Sequence, residues 1–209
     1  MTIEGIDCYS PISSNTATCM KNNGISFAGR YYCPLGKDKL LTRAEAEDIL
    51  NAGLQIFVVY EWGATEESHF TYDNGYNDCL DAISRAHALG QPYNSAIYFA
   101  VDYDMRNNLT AVYNYFHGVA DAMNEFYRLE GNKWYIGVYG GYDVVEYIDN
   151  KWGVSYIWQT KSWSEGRIYS GNNIYQYDTQ YPGYNIYVCS QSVDKNSSSG
   201  STGGFSTLI

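Results

Sequence analysis

The sequence predicts an α/β fold, a (β/α)8-like TIM barrel in which five strand-helix units are followed by three strands that lack full helices. Short apolar runs alternate with amphipathic helical segments through residues 3–148, which is typical of a parallel sheet. Eight strand segments can be counted, and eight strands close a barrel with a filled interior. The rival fold, an open doubly wound sheet, is disfavoured because no glycine-rich phosphate turn follows the first strand.

The first five strands are predicted from apolar runs that are bounded by turn residues. They cover residues 3–8, 25–32, 55–60, 96–104 and 134–139. The third is almost continuously apolar, which is the pattern of a strand that is buried on both faces. The fourth is an apolar run that ends abruptly in two aspartates, Asp102 and Asp104.

A helix is predicted after each of these strands. The second helix has the clearest signal, because Thr42-Arg43-Ala44-Glu45 matches a capping box and Gly53 ends the segment. Apolar residues at spacings of three and four mark the third helix, around residues 79–86, and the long fourth helix, over residues 109–127. Short helices are predicted at residues 14–23 and 142–148.

The pattern changes after residue 148. Strands are predicted at residues 156–160, 174–177 and 185–193, but the segments between them have no helical periodicity of useful length. From Asn196 to Gly204 the composition turns to Ser, Gly and Thr, which is typical of a flexible linker. We therefore expect a barrel domain over residues 1–194 and a linker or tail over residues 195–209 that would lead to a further module.

Charge and cysteine content limit the possible partners and compartments. The net charge of −10 and the pI of about 4.6 disfavour nucleic acid and anionic membranes, since both would be repelled. Five cysteines without a CxxC or zinc-type spacing predict thiols kept reduced in the cytosol, with a single Cys8–Cys19 bridge as the weaker alternative. No signal-peptide pattern and no membrane-spanning run is found, so we expect synthesis in the cytoplasm without a signal peptide.

Acidic residues end several of the predicted strands. The candidates are Asp7, Glu61, Asp102, Asp104 and Asp194, at the carboxyl ends of the first, third, fourth and eighth strands. Barrel enzymes place their chemistry at this rim. Asp102 and Asp104 lie two residues apart, so on a strand their side chains would point the same way from backbones roughly 6.6 Å apart. Gathering so many like charges is unfavourable unless a proton, metal or substrate compensates.

Such a cluster favours acid-base chemistry. Neighbouring carboxylates raise the pKa of one partner, which can then donate a proton to a leaving oxygen, as glycoside hydrolysis requires. A Ca²⁺ or Mg²⁺ site is the competing interpretation of an oxygen-rich cluster. The three histidines, His69, His87 and His117, lie away from the strand ends and give no support for zinc. No nucleophile elbow or cysteine-histidine pair indicates acyl-enzyme chemistry, so no metal and no cofactor is predicted.

Aromatic residues near the same strand ends suggest a carbohydrate ligand, because flat rings can stack on sugar faces, although each ring alone is better explained by core packing. The candidates for substrate binding comprise such rings together with one arginine and one glutamine on the predicted strands, namely Arg30, Tyr32, Trp62, Tyr139, Trp158, Gln176 and Tyr177.

Several segments in order resemble a known family. They are Gly5-Ile6-Asp7, the strand 97–104, the run 135–142, Ile157-Trp158-Gln159, and Tyr175-Gln176-Tyr177 followed by Ser192-Val193-Asp194. Across residues 3–194 the chain is similar to the glycoside-hydrolase-like domain once catalogued as domain of unknown function 1906. It resembles the family 25 lysozymes more distantly. The resemblance implies a barrel of five strand-helix units and three final strands.

The resemblance also implies an activity. Proteins of this kind cleave bacterial peptidoglycan between N-acetylmuramic acid and N-acetylglucosamine, commonly as phage endolysins or autolysins, and can carry a cell-wall-binding module. By position, Asp7, Asp102 and Asp194 match family acids. Family 25 ends its fourth strand in Asp-x-Glu with the glutamate as proton donor, whereas this sequence has Asp104 there, so Glu61 is the alternative donor.

The sequence therefore predicts a muramidase-type glycosidase that acts at the bacterial cell wall. In this hypothesis Glu61 or Asp104 is the general acid, Asp102 stabilises positive charge at the sugar carbon, and Asp7 and Asp194 hold substrate. The alternative from another class is a peptidoglycan-binding barrel that has lost turnover, which the aspartate at position 104 motivates. A metal-dependent hydrolase of phosphate or amide bonds is a third, weaker hypothesis.

Overall fold

A computed structural model describes residues 2–209 and has the predicted (β/α)8-like architecture. Eight strands close a barrel in the order β1-β10-β7-β6-β5-β4-β3-β2. The first seven staves pair in parallel, and the eighth stave is antiparallel to both of its neighbours. The strands of the barrel are β1 (Ile3–Asp7), β2 (Ile25–Tyr32), β3 (Gln55–Tyr60), β4 (Ala96–Ala100), β5 (Tyr135–Gly140), β6 (Val154–Thr160), β7 (Ile174–Asp178) and β10 (Asp194–Ser198).

Five helices cover the outside of the first five staves, as predicted. Three of them are capped at the N-terminus by the hydroxyl oxygen of Ser13, Thr42 or Thr71, which accepts a hydrogen bond from a backbone N–H of the first turn. The two longest end at glycines in the left-handed region, Gly90 and Gly131, where a side chain would be strained. The helices are α1 (Ser14–Asn22), α2 (Arg43–Asn51), α3 (Tyr72–Leu89), α4 (Leu109–Glu130) and α5 (Tyr142–Ile148).

The eighth stave differs from the predicted one. Residues 185–193 do not form it, because Tyr187–Val188 (β8) and Gln191–Ser192 (β9) pair with each other as a small hairpin outside the barrel. The stave is β10, which begins at Asp194 and lies between β1 and β7. Since β10 is antiparallel to its neighbours, its first residue lies at the rim where the parallel strands end. Asp194 therefore stays at that rim although its strand was predicted wrongly.

The predicted linker over residues 195–209 is also wrong. Residues 195–198 belong to β10, and the residues after them pack against the opposite end of the barrel. Phe205 is buried and exchanges both backbone hydrogen bonds with Ile56, at 2.9 and 2.8 Å. The carbonyl of Gly203 accepts a bond of 2.7 Å from the N–H of Ala96. The composition suggested a flexible segment, but backbone pairing needs no apolar side chains, so strand pairing prevails over composition.

Large aromatic side chains fill the barrel interior below the rim. The ring of Phe57 packs edge-on against Trp158 at 4.9 Å and against Phe27 and Tyr98 at 5.8 Å. Gly29 makes room for this packing, because a Cβ atom there would lie 2.4 Å from the Phe57 ring and 2.8 Å from the Cβ of Asp7. The interior is therefore a solid floor beneath the acids at the rim.

One disulfide joins distant parts of the chain, which corrects the expectation of reduced thiols and the weaker Cys8–Cys19 alternative. Cys19 on α1 bonds to Cys189, in the turn of the β8–β9 hairpin, across 170 residues of sequence. The other three cysteines, Cys8, Cys33 and Cys79, are buried free thiols. The pairing could not be derived from sequence, because it depends on the hairpin packing beside α1. Among the helices formed by residues 2–209, none is long and apolar enough to span a membrane.

Candidate active site

Two acids from adjacent strands, one of them buried, meet at the rim. Asp7 ends β1 and Asp194 begins β10, and the two are direct partners in the ladder. The carboxylate of Asp7, which is only 3% exposed, accepts hydrogen bonds from the amides of Gln176 at 2.8 Å and Asn196 at 2.7 Å. The hydroxyl of Tyr31 donates to its other oxygen at 3.1 Å. Asp7 is thus held rigidly and has little surface left for a ligand.

Burial changes the acidity of both groups. It raises the pKa of Asp7 from 3.8 to about 7, and the charge of Asp194 adds to the rise, while the three hydrogen bonds oppose it. The pKa of Asp194 is raised by burial, with a contribution from Asp178, and is lowered by hydrogen bonds from Gln180. One of these is the backbone N–H of Gln180, at 2.8 Å from the carboxylate. The pair can therefore retain a proton at neutral pH.

Asp102 lies beside Glu61 and is partly open to solvent. It follows β4, and its backbone N–H donates to the carbonyl of Ala64 at 2.8 Å, which ties it to the loop after β3. Burial raises the pKa of Asp102 to about 7, with further increases from the charges of Glu61 and Asp194 and a decrease from Lys39. The ammonium of Lys39 contacts the Glu61 carboxylate at 2.6 Å. The site thus combines a carboxyl that is protonated near neutrality with a second carboxylate paired to a cation.

A hydrogen-bonded chain runs from Tyr139 through Gln176 to Asp7 and Asp194. The hydroxyl of Tyr139 donates to the Gln176 side-chain oxygen at 2.9 Å, which directs the Gln176 amide group towards Asp7. The same amide group lies 3.4 Å from Asp194. Burial raises the pKa of Tyr139 well above its ordinary value, and the charges of Asp102 and Asp7 contribute. Tyr139 and Gln176, two of the predicted candidates, therefore lie next to Asp7, where Gln176 orients the carboxylate and is itself buried.

Asp104 is not part of this cluster. It is exposed and forms two hydrogen bonds with the Arg106 guanidinium, at 2.5 and 2.9 Å, while Arg106 also contacts Glu165. The prediction that Asp102 and Asp104 share a face assumed that the strand continues to residue 104. The strand ends at Ala100, so the two-residue alternation does not extend to Asp104.

Two candidates on β2 face away from the site. Arg30 is fully buried, pairs with Glu45 at 2.6 Å and donates to backbone carbonyls, so it ties the rim to α2 and cannot contact substrate. Tyr32 is also fully buried, and its hydroxyl donates to Gln91 at 2.7 Å. Both predictions are wrong, because the alternating pattern of β2 directs Tyr31 towards the acids and its neighbours towards the helices.

The remaining aromatic candidates fall in three different environments. Trp62 is 42% exposed beside Glu61, with the Lys37 ammonium 4.4 Å from its ring centroid. Trp158 is buried in the barrel floor, where its indole N–H donates to Asn196 at 2.8 Å. Tyr177 lies on the outer face of β7 and donates to Glu4 at 2.6 Å. Of the three, Trp62 alone offers a ring at the rim, and Trp158 and Tyr177 were predicted wrongly.

Sequence reasoning missed three residues of the site, Tyr31, Lys39 and Asn196. Tyr31 lies between Arg30 and Tyr32 on β2, so side-chain alternation indicated that it faces the opposite way from both. The wrong one of these two faces was predicted to be the inward one. Lys39 comes from a loop without periodicity, and Asn196 lay in the presumed linker. Within residues 2–209, no three His, Cys, Asp or Glu side chains are placed to hold a metal ion.

Replacing Asp7 with Asn is expected to stabilise the protein at alkaline pH. Because the folded-state pKa of Asp7 is raised from 3.8 to about 7, the stability contributed by its protonated form is complete below pH 3.8 and is lost as pH rises through about 7. Asp7→Asn removes the buried charge, so its free energy of unfolding should exceed that of wild type by roughly 2–4 kcal/mol at pH 8.

Urea denaturation at pH 4 and pH 8 checks this expectation. The two proteins should have similar stability at pH 4, where Asp7 in the wild type is already neutral. An equal difference at both pH values would contradict the assignment of a buried carboxyl with a raised pKa.

Comparisons with known proteins show the family of this chain. A family described as "Rv2525c-like, glycoside hydrolase-like domain" matches residues 18–198. The chain belongs to this family. Membership confirms the resemblance to a glycoside-hydrolase-like domain. The matched region ends at the last residue of β10 and includes seven of the eight barrel strands in full.

Two relatives from Bacillus subtilis (strain 168) are similar in sequence. The chain is 32% identical over 148 residues to the uncharacterized protein YbfG and 30% identical over 179 residues to the uncharacterized protein FadG. These alignments cover 66% and 81% of the chain. The matched region spans only 20% of YbfG and 30% of FadG, so each relative is much longer than the Rv2525c-like domain.

Solved structures share the barrel fold at lower identity. The Tat-secreted protein Rv2525c of Mycobacterium tuberculosis has a TM-score of 0.73 at 19% identity, covering 92% of this chain and 93% of that one. The catalytic domain of endolysin ply40, from bacteriophage P40 of Listeria monocytogenes, has a TM-score of 0.61 at 14% identity, covering 95% and 94%. A family GH25 lysozyme from Aspergillus fumigatus has a TM-score of 0.54 at 13% identity, covering 96% and 95%. The family therefore shares the fold of the GH25 lysozymes.

Proposed function

We propose that this domain is a glycosidase that hydrolyses the glycan strands of bacterial peptidoglycan. The observation that carries the proposal is the pairing of Asp102, whose pKa is raised to about 7, with Glu61 at a partly open rim. A protonated carboxyl beside a second carboxylate is the arrangement that glycoside hydrolysis requires. The fold shared with endolysin and GH25 lysozyme domains adds support for the substrate class.

The chemistry can be assigned to the residues that lie closest to the opening. Asp102 donates its proton to the glycosidic oxygen as the bond between that oxygen and the sugar carbon breaks. A water molecule then attacks the carbon and returns a proton to the Asp102 carboxylate. Glu61, held by Lys39, stabilises the positive charge that develops at the sugar carbon. Burial and the charges of Glu61 and Asp194 favour the protonated form of Asp102, while Tyr139 and Gln176 orient the neighbouring Asp7. This assignment makes Asp102 the proton donor in place of Glu61 or Asp104, because Glu61 is paired with Lys39 and Asp104 with Arg106.

Trp62 is the candidate for direct sugar contact. Its ring is exposed next to Glu61, and the adjacent Lys37 leaves part of the ring accessible. An indole ring at this place can stack on the sugar that occupies the rim. The other aromatic candidates of the sequence either orient the acids or pack in the core.

The proposed place of action is the bacterial cell wall. The Cys19–Cys189 disulfide is consistent with a protein that works outside the reducing cytosol, and Rv2525c is described as Tat-secreted. Release by a phage, as for endolysin ply40, is the alternative route. Since YbfG and FadG are much longer than the matched region, a cell-wall-binding module in the same polypeptide is part of the proposal.

One observation favours a second candidate function, a peptidoglycan-binding barrel without turnover. Position 104, where the GH25 pattern has its glutamate, is an exposed aspartate engaged by Arg106. Purified peptidoglycan incubated with the wild-type protein distinguishes the two functions. Release of new reducing ends supports the glycosidase, whereas co-sedimentation with the walls without any release supports the binding module. Neither release nor binding would overturn both.

A further inference from the structure

Two exposed tyrosines form a stacked pair on the loop between β7 and β8. The side chains of Tyr181 and Tyr184 are 62% and 39% exposed, and their rings stack with centroids 4.9 Å apart and an interplanar angle of 22°. The backbone holds this arrangement, because each residue donates its N–H to the carbonyl of the other, at 3.1 and 2.8 Å. The tyrosine platform, Tyr181 with Tyr184, is thus a preformed aromatic surface that the mechanism above does not use.

Hydrogen bonds connect the tyrosine platform to the acids of the rim. The hydroxyl of Tyr184 donates to Asp178 at 3.0 Å. The charge of Asp178 in turn contributes to the raised pKa of Asp194. The backbone N–H of Gln180, next to Tyr181, donates to Asp194 at 2.8 Å. The Gln180 side chain accepts a further bond of 2.5 Å from Ser192, which closes the loop at its base. The platform is therefore an extension of the active-site rim.

The barrel topology places the tyrosine platform opposite Trp62. Trp62 follows β3, and the platform follows β7. In the closed order of eight strands, β3 and β7 are four positions apart in either direction. The acids at the ends of β1 and β4 and at the start of β10 lie between these two positions. A line from Trp62 to the platform therefore crosses the rim above the proposed catalytic groups.

We propose that the tyrosine platform is a distal sugar-binding subsite for a glycan strand that lies across the barrel rim, and that it gives the protein a preference for long strands over disaccharides. This inference rests on the proposed function and adds the orientation and minimum length of the substrate. A sugar chain fits because it offers apolar ring faces for the tyrosines and hydroxyls for the adjacent acids. Polyanions are disfavoured by the charges of Asp178 and Asp194. A purely apolar partner would remove water from these acids and offer them no further hydrogen bonds in exchange.

Length-dependent binding of N-acetylglucosamine oligomers tests the inference. Wild type, Tyr181→Ala and Tyr181→Phe are titrated with a dimer and a hexamer by calorimetry. Loss of a stacking ring at a central contact typically weakens binding by roughly five- to thirty-fold, and we expect this for the hexamer with Tyr181→Ala. Tyr181→Phe keeps the ring and should bind like wild type. Dimer affinity should be the same for all three proteins.

Tyr127→Ala is the matched control, because Tyr127 is 47% exposed near the carboxyl end of α4, at the opposite end of the barrel from the rim. It should leave hexamer binding unchanged. Equal hexamer affinity of Tyr181→Ala and wild type, or equal affinity of wild type for dimer and hexamer, would overturn this inference and leave the proposed function intact. A wild type that binds neither oligomer nor purified walls would overturn the proposed function and the subsite together.

Discussion

Asp102→Asn is expected to lower the rate of peptidoglycan hydrolysis by roughly two to four orders of magnitude, the usual contribution of a general acid. The variant keeps the size of the side chain and the backbone N–H bond to Ala64, so the loop should retain its structure. It cannot supply a proton to the leaving oxygen. The rate of release of reducing ends from purified walls, measured under identical conditions for both proteins, gives the ratio directly.

The same assay contains its own control and a pH signature. Asp104→Asn should retain wild-type activity, because Asp104 contacts Arg106 and not the acid cluster. Since the pKa of Asp102 is about 7 and the acid form is the active one, wild-type activity should fall as pH rises through about 7. If Asp104→Asn were inactive and Asp102→Asn active, the assignment of the proton donor would be wrong.

Loss of the Cys19–Cys189 disulfide should produce the largest change in stability. The bond closes a loop of 170 residues, and cross-links of this kind stabilise a fold by roughly 2–5 kcal/mol through the entropy of the unfolded chain. At roughly 2–4 °C per kcal/mol for a domain of this size, the double variant Cys19→Ser/Cys189→Ser should melt many degrees below wild type. Thermal unfolding followed by circular dichroism measures the shift.

Reduction of the wild type provides the control for this experiment. Dithiothreitol should lower the melting temperature of the wild type to that of the double variant and leave the variant itself unchanged. Cys8, Cys33 and Cys79 are buried free thiols and do not contribute to the difference. An unchanged melting temperature in the reduced wild type would contradict a stabilising bond between α1 and the β8–β9 hairpin.

The predictability of this fold from sequence depends on how local each signal is. The five strand-helix units were predicted well, because apolar periodicity, the Thr42 cap and glycine stops act within a few residues. The eighth stave was misplaced, since a polar strand such as Asp194–Ser198 owes its place to pairing with β1 and β7. Its apolar-looking predecessor, residues 185–193, forms a surface hairpin instead.

The candidate site was predictable to a similar degree. Asp7, Glu61 and Asp102 lie at one rim as predicted, because each follows an apolar strand and the ends of parallel strands meet there. Arg30 and Tyr32 were misassigned because alternation shows that neighbours on a strand face opposite ways but not which way is inward. The prediction that Asp104 lies in the acid cluster was wrong because β4 ends at Ala100, and the apolar run does not reveal where the strand ends. These errors concern which face of a strand points inward and where a strand ends, and both are determined by packing in the folded protein.

Hydrolysis of purified peptidoglycan in ¹⁸O-labelled water is the most direct test of the account. Mass spectrometry of the soluble products should show one ¹⁸O atom at a newly formed reducing sugar in each fragment, with the stem peptides unlabelled. Asp102→Asn should yield almost no labelled sugar over the same period. Label found in peptide carboxyl groups would contradict the claim that these acids cleave glycosidic bonds. The absence of labelled sugar after incubation with the wild-type protein would contradict it as well.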